Sequence, residues 1–310
     1  MDRSRIQADV LLLVAAAIWG FGFVAQRAGM EHLGPFTFNA LRFGLGALVL
    51  GPILARRRFS PGEIGPAAPP LYPGTTPAAH GDRAVRPVLT GGLVAGVVLF
   101  AGASLQQAGI VTTTAGKAGF ITGLYVILVP ILGLSLGQRP GRGTWAGALL
   151  AVCGLYLLSI RGGFAISRGD SLVLIGAFCW AAHVLLIGSL SARYDPLRIA
   201  AVQFLTCSLL SLGAALLFEK LPAGAMRRAL VPILFSGVIS VGIAYTLQVV
   251  AQRRTRPSHA AILLSLEAVF AAFGGWLLLG ETLDARALTG CALMFAGMMA
   301  SQIHWGSRAY

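Results

Sequence analysis

The chain has 310 residues, of which 56% are hydrophobic and 11% charged, and its formal net charge is +13. A soluble globular chain carries roughly a quarter of its residues as charged side chains, so the composition excludes an ordinary soluble protein and points into the lipid bilayer. The positive balance would suit a nucleic-acid partner, but the basic residues alternate from loop to loop in the manner of a topology signal, which excludes that role too.

Runs of the length that crosses a hydrocarbon core, about 17–25 residues, lie near 9–28, 36–54, 88–110, 114–136, 144–160, 170–190, 197–217, 229–250, 258–279 and 285–303. They are continuously apolar, unlike the alternating strands of a barrel. Lipid offers no partner to an unpaired backbone group, so each run is expected to be a helix. The expected fold is therefore an all-α integral membrane protein with ten transmembrane helices.

The first span lacks a convincing cleavage site and is followed by nine more, so it reads as a retained helix rather than a signal peptide. Trp19, Phe23 and Gln26 share one of its faces. The second span carries Asn39 and Arg42 at i, i+3; Arg42 would either bind an anionic group or extend its head toward the membrane surface. Residues 56–87 then hold seven of the chain's fifteen prolines and few large apolar side chains, the composition of a disordered linker. The third span has Gln106 and Gln107 near its end. The fourth has Lys117 and, eight residues on and on roughly the same face, Tyr125. The stretch "GIVTTTAGKA" suggests a phosphate loop but fails as one: the spacing is wrong and Ala118 stands where Ser or Thr is needed.

The sixth span pairs Trp180 with His183, the seventh holds Gln203, the eighth Tyr245 and Gln248 at i, i+3, and the ninth His259 and Glu267. A single polar residue of this kind is worth about 0.6 kcal/mol as an interhelical hydrogen bond; together they suggest a polar lining spread over many spans. The cysteines Cys153, Cys179, Cys207 and Cys291 all lie in spans without a CxxC pair, which argues against a disulfide framework or a zinc site. No catalytic, metal or cofactor motif stands out.

Glu267 is the acid set deepest in a span, about ten residues from its start. An ionised carboxylate at that depth costs about 2.5–3.5 kcal/mol on insertion scales. Three roles would offset this. It stays protonated and hydrogen-bonded; it pairs with a substrate amine or with a base such as Lys117 or Arg42; or it takes up and releases a proton as water enters and leaves.

With ten spans the N-terminus and every second loop share a side. That side holds fifteen of the 24 basic residues, among them Arg56, Arg57, Arg58, Arg253, Arg254 and Arg256; the opposite side holds seven. The positive-inside rule then places both termini in the cytoplasm.

The sequence also repeats. "GQRPGRGTWAGALLAVCG" at 137–154 and "GETLDARALTGCALMFAG" at 280–297 carry glycines at identical spacing, offset by 143. With an offset of 161, Asp9, Trp19 and Pro35 match Asp170, Trp180 and Pro196, and "ALRF" at 40–43 matches "AVQF" at 201–204, so that Gln203 is the counterpart of Arg42. The long proline-rich loop absorbs the difference. The expected units are 1–160 and 161–310, five spans each. Five is odd, so the second enters the membrane inverted, an arrangement that secondary transporters use to place a substrate site at the repeat interface.

"AAIWGFGFVAQRAG" in the first span, "LRF" in the second, "SLEAVFAAFGGWLLLGE" in the ninth and the G-x9-G-x6-G spacing resemble the drug/metabolite transporter superfamily, EamA type. The resemblance covers nearly the whole chain except 56–87. It implies a central cavity lined by helices 1–4 and 6–9, with helices 5 and 10 packed behind. It implies secondary transport of small organic solutes, often export, from a bacterial inner membrane, by a monomer or homodimer. The family often has proline just after the position of Glu267; here Ala268 stands there, and a less kinked ninth helix is expected. Substrate-path candidates are Glu267, Trp19, Asn39, Arg42, Gln107, Lys117, Tyr125, Trp180, His183, Gln203, Tyr245 and Gln248, with protons and membrane lipids as further partners. The alternatives are a lipid-linked carrier flippase and a non-transporting scaffold or sensor.

Overall fold

The computed structural model describes residues 3–58, 85–113, 115–160, 167–220, 224–279 and 284–302, and these are helical apart from turns and short connections. Eight helices are long and apolar enough to cross a membrane, and two shorter apolar ones, Arg142–Leu158 and Ala285–Ser301, take the fifth and tenth places. The first three spans are α1 (Arg3–Met30), α2 (Pro35–Arg58) and α3 (Val85–Ile110). The fourth is divided into α4 (Ala115–Gly123) and α5 (Tyr125–Ser135), and the fifth is α6 (Arg142–Ser159). The second half opens with α7 (Arg168–Arg193) and α8 (Pro196–Phe218), followed by the short α9 (Ala225–Arg228). The eighth span runs as α10 (Leu230–Leu234), a π-helical stretch Phe235–Tyr245, and α11 (Thr246–Gln252). The ninth is divided into α12 (Pro257–Ser265) and α13 (Glu267–Leu279), and the tenth is α14 (Ala285–Gln302).

The polarity is inside out relative to a soluble domain. Leu149, Leu216, Leu217 and Val231 are exposed, whereas Asn39, Arg42, Gln107, Gln203 and Glu267 are buried. The apolar surface is the one lipid requires, and the polar groups are confined to the interior between helices.

The repeat is visible in the packing of α6 against α14. A Cβ on Gly147 would lie 2.6 Å from the carbonyl oxygen of Gly297, and one on Gly154 would lie 2.5 Å from that of Gly290. The offset of 143 turns Gly147 into Gly290 and Gly154 into Gly297, so exchanging the two helices reproduces the same pair of contacts. That is the pattern of a two-fold axis between antiparallel helices, and only glycine permits backbones this close. Gly280, the third glycine of the second motif, lies outside the described residues; its counterpart Gly137 has φ of 75°, the left-handed conformation that glycine adopts freely.

Helix starts follow the second offset. Pro35 and Pro196 are each the first residue of their helix, where a missing N–H costs nothing. Asp195 caps α8 by accepting from Leu197 N–H at 2.9 Å. The start of α2 is capped from a distance: Glu219, just past α8, accepts from the N–H groups of Phe36 and Thr37 at 2.8 Å each and from the Thr37 hydroxyl at 2.6 Å. At the start of α7, Ser167 and Asp170 form a capping box, and Thr113 donates its hydroxyl to Asp170. Arg27 donates to the carbonyls of Ile110 and Thr113 at 2.6 and 3.0 Å, closing the end of α3 with a cation as the helix dipole favours. At the opposite end of the molecule, His259 stands 3.1 Å from both Asp9 and Ser301, joining the first, ninth and tenth spans.

One expectation changes. α2 runs to Arg58 and α3 begins at Val85, so the ends of the expected linker are helical, and 59–84 lie outside the described residues. The ninth span is interrupted at Leu266, where the backbone keeps helical dihedrals. The break needs no proline: the Ser265 hydroxyl donates back to the Ile262 carbonyl at 2.8 Å, a competition that bends helices. The chain there turns through three-residue bonds, Leu266 N to Leu263 O and Val269 N to Leu266 O. The fourth span breaks in the same way at Leu124, through Leu124 N to Ile121 O and Ile127 N to Leu124 O.

Candidate functional site

The two breaks face each other. Tyr125 is the first residue of α5 and Glu267 the first of α13, and the Tyr125 hydroxyl points to Glu267 Oε1 at 3.5 Å. This is long for an O–H···O bond. Among the described residues it is the carboxylate's one hydrogen-bond partner.

A cavity of about 50 Å³ opens beside this pair, room for roughly three to five waters. α1 contributes Trp19, Phe23 and Gln26, α2 contributes Arg42 and α3 Gln106. The broken fourth span adds Thr122 and Tyr125, and α7 adds Trp180, His183 and Val184. The eighth span supplies Ser240, Tyr245 and Gln248, and the ninth Leu264 and Glu267. The lining thus comes from spans 1–4, 6, 8 and 9, with α6 and α14 outside it. The seventh span, α8, supplies no lining residue, which narrows the arrangement that the resemblance implied.

Aromatic rings form one wall. Trp19 packs on Tyr245 with centroids 4.5 Å apart, and its indole N–H donates to the Ser240 carbonyl at 3.3 Å. Its repeat counterpart Trp180 lies 6.2 Å from the same tyrosine and donates to Gln106 Oε1 at 2.8 Å. Gln106 in turn donates to Gln26 at 3.2 Å. The two tryptophans therefore flank one tyrosine from the two halves of the chain. The Ser240 carbonyl and Tyr245 belong to the π-helical stretch, a distortion that often accompanies functional sites.

Polar groups line the remainder. Arg42 is 2% exposed. Its Nε donates to Asn39 Oδ1 at 2.9 Å, and its guanidinium lies 4.8 Å from the Phe43 ring centroid and 5.7 Å from that of Phe38, within cation–π range. His183 Nε2 lies 2.9 Å from Gln203 Oε1, a hydrogen bond whose direction follows the ring's tautomer. Gln248 donates to Gln252 at 3.0 Å. Arg42 Nη2, Thr122 Oγ1, His183 Nδ1 and Gln248 Oε1 are buried with no hydrogen-bond partner among the described residues. Buried polar atoms in this state are costly unless water or a ligand meets them. Among the described residues, no group of three or more His, Cys, Asp or Glu side chains is placed to hold a metal.

Of the residues singled out from sequence, Trp19, Arg42, Tyr125, Trp180, His183, Tyr245, Gln248 and Glu267 are brought together around this cavity. Asn39 and Gln203 sit one layer behind, each bonded to a lining residue. Gln107 is buried away from the cavity, and its neighbour Gln106 takes the lining position. Lys117 falls on α4, with its side chain outside the described residues. Thr122, Val184 and Leu264 carry no sequence signal that separates them from ordinary packing residues, and Ser240 meets Trp19 through its backbone carbonyl.

Comparison with known proteins agrees with this architecture. The sequence model of the EamA-like transporter family matches twice, at residues 6–160 and 167–301. An uncharacterized transporter of Archaeoglobus fulgidus is 29% identical over 297 residues, 96% of this chain and 86% of that one. The uncharacterized protein PA1977 of Pseudomonas aeruginosa is 30% identical over 294 residues, covering 92% and 90%. The threonine/homoserine exporter RhtA of Escherichia coli K12 is 29% identical over 177 residues, 54% of this chain and 56% of that protein. A solved crystal structure shares the fold, with a TM-score of 0.73 at 19% identity, covering 95% of this chain and 96% of that chain. The chain belongs to the EamA-like transporter family of the drug/metabolite transporter superfamily, and it is an integral membrane transporter built from two EamA repeats.

Proposed function

We propose that the protein is a secondary transporter that exports a small organic metabolite by alternating access, with proton movement coupled through Glu267. The observation that carries this reading is the cavity between the repeats, where a buried carboxylate and a buried guanidinium stand among unpartnered polar groups. Its small volume favours small solutes over bulky ones. Inverted repeats, interrupted helices facing one cavity and a pseudo-two-fold seam are the parts that alternating access needs. The partial likeness to an amino-acid exporter supports export of a metabolite. The units are taken as 1–160 and 161–310, and the loop charges support cytoplasmic termini in a bacterial inner membrane.

The test is solute counterflow in proteoliposomes loaded with a metabolite extract, with and without an imposed pH gradient. Protein-dependent exchange that becomes net accumulation under the gradient is expected. An absence of protein-dependent flux of any extract component would refute the transport reading.

A further inference from the structure

A cluster that takes no part in the cavity lies at the face where α1 begins and α14 ends. His259, in the first turn of α12, stands 3.1 Å from Asp9 on α1 through Nε2 and 3.1 Å from Ser301 on α14 through Nδ1. The Ser301 hydroxyl has one proton, and it goes to the Met298 carbonyl at 2.7 Å, so the oxygen faces the ring as an acceptor. A carboxylate is an acceptor as well. Both ring nitrogens thus meet acceptors, which suits the doubly protonated imidazolium; a neutral ring leaves one nitrogen mismatched or takes the serine proton from Met298. A cation at a helix start is disfavoured by the helix dipole, and Asp9 is the group that offsets it.

Placement gives this cluster a role. Leu264 lines the cavity, and between it and His259 the residues Ala260, Ala261, Ile262 and Leu263 are 0% exposed. Leu263 shares one core with Ala8 and Leu12 of α1, Val129 of α5 and Ile187 of α7. α12 therefore fills the route from the cavity to this face. The route opens only if α12 parts from α1, the seam that His259 and Asp9 bridge. At the other face Asp170, the counterpart of Asp9 at offset 161, accepts from Thr113 just before α4, and the offset of 143 carries α4 onto α12. The equivalent tie is made there by a hydroxyl and here by an imidazole, a group that changes charge within the physiological pH range.

We propose that Asp9, His259 and Ser301 form a pH-sensitive latch: a proton taken up by His259 from this face locks α12 against α1 and keeps the cavity closed to that side, and loss of the proton frees it. The latch rests on the transport reading for its purpose and on the loop charges for calling this face cytoplasmic; a fall in cytoplasmic pH then slows opening to the cytoplasm. The sign follows from the partners. Charge-assisted bonds are stronger than neutral ones, so the imidazolium is held more tightly in the closed arrangement than in the parted one, and raising the pH removes that preference. The other charged groups near this face on the elements packed against α12 are Arg5 on α1, Arg142 on α6 and Arg193 on α7, with Arg253, Arg254 and Arg256 just before α12 itself; α5 and the described part of α14 bring none. Among the described residues, the ion-pair partner of Asp9 is His259. Arginine keeps its charge throughout this pH range, which leaves His259 as the titrating base at the seam.

The experiment is amide hydrogen exchange of the full chain in lipid nanodiscs, read by mass spectrometry over residues 260–264 and corrected for intrinsic rates, from about pH 5.5 to about pH 8. Protection of this segment in the wild type is expected to fall about tenfold across that range, as loss of a charge-assisted bond implies. His259→Gln should show the low protection at every pH. His259→Arg, which keeps a cation beside Asp9, should show the high protection at every pH; a merely structural histidine would not give opposite, pH-independent results in these two variants. Exchange at the imidazole C2 hydrogen of His259 follows the ring's own titration in the wild type, so the matter is decided even where a variant fails to fold: its midpoint should coincide with that of the α12 transition. Protection that does not change with pH, a transition that persists in His259→Gln, or a His259 titration displaced from the α12 transition would each overturn the latch. No solute enters the measurement, so its failure leaves the transport reading standing. An intact α12 transition in a protein that moves no solute would remove the transport reading and leave the latch.

Discussion

Tyr125 and Glu267, 142 residues apart, each open the helical segment after a break, and the phenol of one reaches 3.5 Å toward the carboxylate of the other. The contact spans the two repeats at the cavity wall. Its length makes it weak; an interhelical hydrogen bond in lipid averages about 0.6 kcal/mol. Tyr125→Phe is therefore expected to unfold in detergent with a loss of stability no larger than about 0.6 kcal/mol, while slowing transport by disturbing the site. A melting curve beside a flux assay checks this; a large stability loss with intact flux would make the pair structural.

The glycine seam gives the sharpest structural expectation. Gly154→Val and Gly290→Val place a side chain within 2.6 Å of a backbone oxygen on the partner helix, where backbone cannot yield. Overpacking of this kind costs about 1–3 kcal/mol. Gly213→Ala, where nothing lies within 4 Å of the added carbon, should be neutral or gain about 0.5–1 kcal/mol from helix propensity. Thermal unfolding of the three variants orders them, and equal melting temperatures would contradict close packing of α6 on α14.

Glu219 caps α2 with three accepted hydrogen bonds across 182 residues of sequence. Glu219→Ala is expected to cost about 1 kcal/mol, as loss of a helix cap does, and Gly34→Ala to disturb the same contact, since the added carbon would lie 2.2 Å from the Glu219 carboxyl carbon. Hydrogen exchange at Phe36 and Thr37 reports the cap directly: faster exchange in Glu219→Ala is expected, and unchanged protection would show that the cap is not what holds them.

The repeat was legible because its landmarks are rare residues at fixed offsets: Trp19 with Trp180, Pro35 with Pro196, and glycine pairs that have no packing substitute. Glu267 and Arg42 stood out because charge in a span is costly. Helix rotation was harder to read. A span that is apolar all round has no strong polar face, so a choice between Gln106 and Gln107 turns on a step of about 100° that composition does not decide. The interruption at Leu266 has no proline to mark it in the sequence; a serine hydroxyl, Ser265, accompanies it. The π-helical stretch Phe235–Tyr245 leaves no residue signature; its extra residue per turn alters which side chains of the eighth span face the cavity.

The central claim is that Glu267 works in transport rather than in packing, and Glu267→Gln tests it most directly. The amide keeps the size and can still donate a hydrogen bond, so a packing residue would tolerate the change. The measurement is solute flux in proteoliposomes, wild type and mutant, with and without an imposed pH gradient. The account predicts that the mutant retains downhill exchange at high solute concentration and loses accumulation driven by the gradient. Wild-type flux from the mutant under both conditions would contradict it.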